Sequence, residues 1–448
     1  MKRTTISLAA LLPLAALLSS CDKTNEEAEP ATTEVSPETN VESSDDYVFD
    51  STVTTITLNG TSITVSGSGV TVAGSVATIT APGTYSVSGS LTNGQLIVSA
   101  DVADKVKIQL NGASITSATS APLQVTTADK VILYLVPGTT NSLTDGSASN
   151  ADGALYSAAK LSLFGTGTLT VTGNADGGIV SSGGLIIKEG TYAITAAEST
   201  IKSDKNIIID GGTFALAAGN DGVHGEESLT FNGGDVTISK SEEGIESAEI
   251  TINDGTHIQL TSTDDGVNAS SGDDTSENHF YMKGGFVAIN AGGDGVDSNG
   301  YIDMTGGTIV VNGPSTNGNA AIDYDRTFTI SGGLLVAVGS AGMAQAPSTS
   351  STQNSVKVTF SSAKQANQLL HVQDASGTNV VTFSPTKAYQ AVVISSPKLV
   401  QGSAYTLYLG GSSTGTADNG LYENGTYTAG TQSNSFTVSG SVTTLTAN

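Results

Sequence analysis

Short apolar runs recur along the chain, and each opens a segment in which apolar and polar positions alternate. The runs read Leu161-Ser162-Leu163, Leu185-Ile186-Ile187, Ile207-Ile208-Ile209, Leu229-Thr230-Phe231, Ile250-Thr251-Ile252, Phe280-Tyr281-Met282, Ile302-Asp303-Met304 and Phe328-Thr329-Ile330. Their starts lie 24, 22, 22, 21, 30, 22 and 26 residues apart. A near-constant period of this size marks a solenoid, in which one repeat cannot bury its own apolar face and neighbours must stack. Thr213-Phe214-Ala215-Leu216-Ala217 and Gly285-Phe286-Val287-Ala288-Ile289 show the period of two expected of strands. Gly pairs such as Gly211-Gly212, Gly233-Gly234 and Gly306-Gly307 recur four residues into a coil and suit tight corners. The pattern predicts an all-β protein: a right-handed parallel β-helix of about 22 residues per coil with a small C-terminal β cap. A propeller of about 45 residues per blade would repeat its signature half as often.

Four coils share an acidic residue followed by Gly and Val or Ile. They are Asn220-Asp221-Gly222-Val223-His224, Glu242-Glu243-Gly244-Ile245-Glu246, Asp264-Asp265-Gly266-Val267-Asn268 and Gly293-Asp294-Gly295-Val296-Asp297. Stacking puts Asp221, Glu243, Asp265 and Asp294 in one column, and His224, Glu246, Asn268 and Asp297 in a second. Strands lie about 4.8 Å apart, so adjacent unit charges repel by about 0.9 kcal/mol in bulk water and about 3.5 kcal/mol at an effective dielectric near 20. A divalent cation between coils converts that repulsion into coordination, and Asp, Glu and Asn oxygens are the ligand set of Ca²⁺. The expected ligands are Asp221, Glu243, Glu246, Asp264, Asp265, Asn268, Asp294 and Asp297, with the Gly carbonyls offered beside them. A single Asp-Gly would be an ordinary turn; four in register argue for calcium. His224 reads as a surface turn residue rather than a ligand. No HExxH, CxxC or His cluster points to zinc.

The organisation around the repeat is equally legible. Residues 1–20 read as a lipoprotein signal peptide, with Lys2 and Arg3 before an apolar stretch too short to span a bilayer. Leu18-Ser19-Ser20-Cys21 resembles a lipobox, so Cys21, the one cysteine, is the expected lipidation site and membrane anchor. Residues 21–50 read as a disordered acidic tether, 51–353 as the β-helix with its N-terminal cap, and 354–448 as an antiparallel β unit. The formal net charge is −25. Between Asp176 and Asp303 stand 22 Asp and Glu against five Lys, which argues against nucleic acid as a partner.

The chain resembles the bacterial family of carbohydrate-binding domain-containing proteins, calcium-binding right-handed β-helices of pectate-lyase-like shape. The resemblance is carried by Ile56-Thr57-Leu58-Asn59-Gly60, by Ala77 to Tyr85, by Lys105-Val106-Lys107-Ile108-Gln109-Leu110-Asn111-Gly112 and by the Asp-Gly-Val coils. It implies Ca²⁺ between coils and binding of plant-type polysaccharide, polygalacturonate (pectin) and also cellulose, without an implied catalytic activity. Glu198-Ser199-Thr200-Ile201 and Asn319-Ala320-Ala321-Ile322 depart from the motif.

Three functions follow. The first is a non-catalytic, monomeric, cell-surface protein whose cations bridge to an acidic polysaccharide. Tyr156, Tyr301 and Tyr324, with Tyr281, are its candidate sugar platforms, since Trp is absent. The second is a calcium-dependent polysaccharide lyase, with Lys202 or Lys240 as the base that takes the proton beside the uronate carboxyl. The third is an adhesin or stalk that cations merely stiffen.

Overall fold

The computed structural model describes residues 47–48, 53–271 and 277–448. The signal peptide, Cys21 and most of the tether lie outside the described residues. Among those described, all regular structure is β.

The alternation seen in the sequence builds three parallel faces. Thr213–Ala217 buries Phe214 and Leu216 and turns its Thr and Ala positions outward. Strands of the first face include Gly177–Ser181, Ile201–Ser203, the start of Val223–Phe231, the start of Ile245–Ile252, Val267–Ala269 and Val296–Ser298. The second face runs from Lys105–Ser117 through Leu185–Ile187, Asn206–Ile209, His279–Met282 and Tyr301–Met304 to Thr327–Ile330. The third includes Thr191–Ala196, Gly234–Lys240, Thr256–Thr261, Phe286–Asn290, Thr308–Asn312 and Leu334–Gly339. The result is the expected parallel β-helix, of about ten turns. Like residues stack inside it. Ile201, Val223, Ile245, Val267 and Val296 form one buried column, each contributing on the order of 1.5–3 kcal/mol by leaving water.

The glycine pairs do what their spacing suggests. The second member adopts a left-handed φ, +112° at Gly212 and +73° at Gly307, where the chain turns into the third face.

Both ends are closed. At the N-terminal end Val53–Gly60 pairs antiparallel with Ser62–Ser66, and Val70–Ala73 with Val76–Ile79. At the other end Leu334–Gly339 pairs antiparallel with Tyr389–Ser395, which continues to Ser355–Lys364. The last pairing, Ser355–Lys364 with Val442–Ala447, is parallel rather than antiparallel. The C-terminal unit also covers outward residues of the last coils: Val310, Val336 and Val338 share a core with Val356, Phe360 and Tyr389. Tyr47, from the end of the tether, sets its ring edge-on to Phe164, 4.9 Å between centroids.

A candidate cation and glycan site along one edge

The acid-Gly motif sits at the corner where the third face passes into the first. Backbone bonds tie it to the next coil: Gly222 N to Glu243 O at 3.0 Å, Gly244 N to Asp265 O at 2.9 Å, Gly266 N to Asp294 O at 2.9 Å and Gly295 N to Ala320 O at 3.1 Å. Asp221, Glu243, Asp265 and Asp294 therefore form one column. The reason for glycine is contact, not a left-handed backbone. A Cβ at Gly222 would lie 2.5 Å from Gly244 O, and one at Gly244 would lie 2.2 Å from Gly266 O. The glycine carbonyls accept the amides of Val223, Ile245 and Val267 in the solenoid ladder. Each of these carbonyls, expected to be offered to a cation, thus already carries one ladder bond and keeps a second lone pair.

The second column follows the first face outward as Lys202, His224, Glu246, Asn268 and Asp297. Asp323 extends it through the Val296–Ile322 bridge. Its coil reads Asn319-Ala320-Ala321-Ile322, without an acid-Gly signature, so only counting from Ile322 would have found it. A third line stands beside the first column. Backbone bonds run along Asp176, Glu198, Asn220, Glu242, Asp264 and Gly293, so Asp264 borders the stripe and Asp176 extends it downward.

Two groups bring three potential ligands together, with donor atoms within 4.8 Å of one another: Asp221, His224 and Glu246, and Asp294, Asp297 and Asp323. They differ in chemistry. His224 Nδ1 lies 3.0 Å from Asp221 Oδ2 and 2.9 Å from Glu246 Oε2, and its side chain is 18% exposed. Burial opposes charging the ring, but the two carboxylates outweigh it and push the His224 pKa up to about 10. His224 is thus a paired, half-buried cation, not a surface turn residue. It already supplies the counter-charge for Asp221 and Glu246.

Beyond His224 the donors are oxygen alone. Asn268 Nδ2 donates to Glu243 Oε2 at 2.7 Å, while Asn268 Oδ1 is buried without a hydrogen-bond partner. Asp265 Oδ1 accepts the Asp294 amide at 2.6 Å, and Asp294 Oδ1 accepts that of Ala320. Burial pushes Glu243, Asp265 and Asp297 up to about 7, and neighbouring carboxylates add to each shift. Asp294 is raised for the same reasons. An orphaned buried amide oxygen among mutually repelling carboxylates fits a hard divalent cation such as Ca²⁺, which takes oxygen ligands.

The aromatic candidates separate. Tyr156 stands on the same outward line as Lys202, with Val180 between them. Tyr301 and Tyr281 lie on the second face and turn their rings toward His279, at 5.4 and 3.8 Å between centroids. Tyr324 donates to Ala346 O at 2.8 Å and meets Phe328 edge-on, a corner-packing role. Lys202 makes no hydrogen bond or ion pair with the described residues. Lys240 ends a strand of the third face and is exposed.

A parallel β-helix with a carboxylate stripe along one edge defines the class. The chain belongs to the family described as carbohydrate-binding domain-containing protein, whose model matches residues 73–239 and 217–374, more than half of the chain. A protein of that description from Acetivibrio thermocellus is 32% identical over 126 residues, which are 26% of this chain and 44% of the relative. The match thus spans less than half of that relative. A solved structure, the polysaccharide lyase-like protein from C. thermocellum in its gadolinium derivative, is similar over 62% of this chain and 97% of its own at 22% identity and a TM-score of 0.44.

Proposed function

We propose that this protein binds acidic polysaccharide without cleaving it, through Ca²⁺ ions held between coils by the carboxylate stripe. The observation that carries the reading is the all-oxygen stretch of Glu243, Asp265, Asn268, Asp294, Asp297 and Asp323, in which burial raises the carboxyls of Glu243, Asp265, Asp294 and Asp297 and one amide oxygen, Asn268 Oδ1, is unpartnered. Bound ions reverse the local charge and leave coordination positions for the carboxylates of a uronate polymer such as polygalacturonate. Family membership supports a carbohydrate ligand. The lipobox at Cys21 supports anchoring of a monomer in a membrane, with the solenoid displayed outside the cytoplasm on its tether.

Lys202 keeps the lyase as the second reading, because an amine without a partner among the described residues, next to the carboxylate stripe, is what proton abstraction beside a uronate carboxyl needs. One experiment separates the readings. Residues 22–448 are mixed with insoluble polygalacturonate in Ca²⁺ or in chelator, and the supernatant is assayed for unsaturated uronate. Retention in Ca²⁺ alone, with no product, is the expected result. Product identifies a lyase, and no retention in either condition leaves a cation-stiffened stalk.

A further inference from the structure

The first face changes character along the solenoid axis. Strand register sets Tyr156, Val180, Lys202, His224, Glu246, Asn268 and Asp297 on one outward line, one residue per coil. The acidic half begins at Glu246. The half before His224 carries no carboxylate on this line.

We propose that the strip Tyr156–Val180–Lys202 is a cation-independent subsite for the same polymer, in which Tyr156 packs against a sugar ring and the Lys202 ammonium takes a uronate carboxylate. This rests on the reading of an acidic glycan as the ligand. The first support is the state of Lys202. In the most acidic part of the chain Lys188 pairs with Asp210 at 2.7 Å, Lys205 pairs with Glu227, and Lys283 lies 4.9 Å over the Tyr281 ring. Lys202 has no such partner among the described residues. Asp176 feels its charge, and His224 beside it is committed to Asp221 and Glu246.

The second support is the spacing between Tyr156 and Lys202. Val180 is only 4% exposed although it stands on the outward line. It packs down against two glycines, where a Cβ would come within 2.7 Å (Gly153) and 2.6 Å (Gly177) of its Cγ2. The strip therefore carries an aromatic ring at one end and an amine at the other, with a buried valine between them. It is about 9.6 Å long, two strand spacings, which suits roughly two residues of an extended pyranose chain. Tyr156 stacks on no other ring among the described residues, unlike Tyr281 and Tyr301. An acidic sugar uses both ends of the strip, whereas a neutral one leaves the ammonium unmatched. The polymer then lies along the axis, one end on amine and ring and the rest over the cation stripe.

The test titrates residues 22–448 with short oligogalacturonate and with its methyl ester, in chelator and in Ca²⁺, by calorimetry. Lys202→Met is expected to weaken the acid oligomer about tenfold in chelator and to leave the ester unchanged. Tyr156→Ala weakens both ligands, and Lys202→Arg restores the acid form. The melting temperature of Lys202→Met stays at the wild-type value. Wild-type affinity of Lys202→Met for the acid oligomer in chelator overturns the subsite, even if Ca²⁺-dependent binding persists. No wild-type binding of the acid oligomer in either condition overturns the glycan reading and the subsite together.

Discussion

Glu243, Asp265 and Asp297 carry pKa values near 7, while a free carboxyl titrates near 4. The folded state therefore holds protons that the unfolded chain has released between those two values. Stability linked to these groups is present at low pH and is lost as pH rises from about 4 to about 7. His224 acts in the same direction higher up, losing its contribution as pH rises from about 6.5 toward 10. In chelator, the melting temperature should fall from pH 5 to pH 8. With Ca²⁺ at pH 8 it should rise again and the fall should flatten, because the ion replaces the proton. A calorimetric scan over pH with and without Ca²⁺ checks this. Asp265→Asn sharpens the point, since it removes a repelling charge and an ion ligand at once. Its melting temperature should exceed wild type in chelator and gain less from Ca²⁺. Sequence alone could align these carboxyls. It could not rank His224, because Asp221 three residues before it and Glu246 one coil away charge it together, and a turn residue and a paired, half-buried residue look alike in a string.

The acid-Gly turn is the element that repeats, and its glycine is fixed by the approach of the next coil's carbonyl. Gly222→Ala must push a methyl against Gly244 O and the Ile238 side chain, at a cost of about 1–3 kcal/mol. Gly60→Ala meets no atom within 4 Å and costs only the strain of its left-handed φ, about 1 kcal/mol. Urea titrations of the two variants should rank them in that order. The opposite corner is held by an amide ladder. Asn232 Nδ2 donates to Asp210 Oδ1 and Asn253 Nδ2 donates to Asn232 Oδ1, both at 2.8 Å. Asn232→Ala breaks both bonds at an exposed position and should cost on the order of 1–2 kcal/mol in the same titration. The spacing of Gly pairs and acid-Gly turns was readable because each corner recurs in chain order. The ladder was not, although Asp210, Asn232 and Asn253 recur 22 and 21 residues apart, because short polar residues at a corner read as ordinary turn formers until they are stacked.

At the scale of the molecule, a period near 22 residues and two-residue alternation were enough to specify the parallel β-helix. The closure of its far end was less legible. Residues 354–448 do not repeat, and nothing in their pattern shows that Val310, Val336 and Val338 face them rather than water. Lys387 marks the same junction, with its ammonium donating to the carbonyls of Ala291 and Asn312 and its pKa lowered by burial. Removing residues 354–448 would expose those valines and the edge of Leu334–Gly339. Residues 22–353 alone should therefore elute as soluble aggregates or higher oligomers in size-exclusion chromatography, while residues 22–448 elute as a monomer.

Parallel, in-register stacking between two closed ends also makes the length of this molecule a countable quantity. Excising residues 223–244 joins Gly222 to Ile245, where Gly244 stood before, so every corner downstream keeps its place. The shortened protein should fold with both ends intact, about 4.8 Å shorter, with one rung fewer in the stripe. Gain or loss of such a unit would alter the reach of the molecule and the number of charges along its edge together, in whole steps, without redesign of any other part.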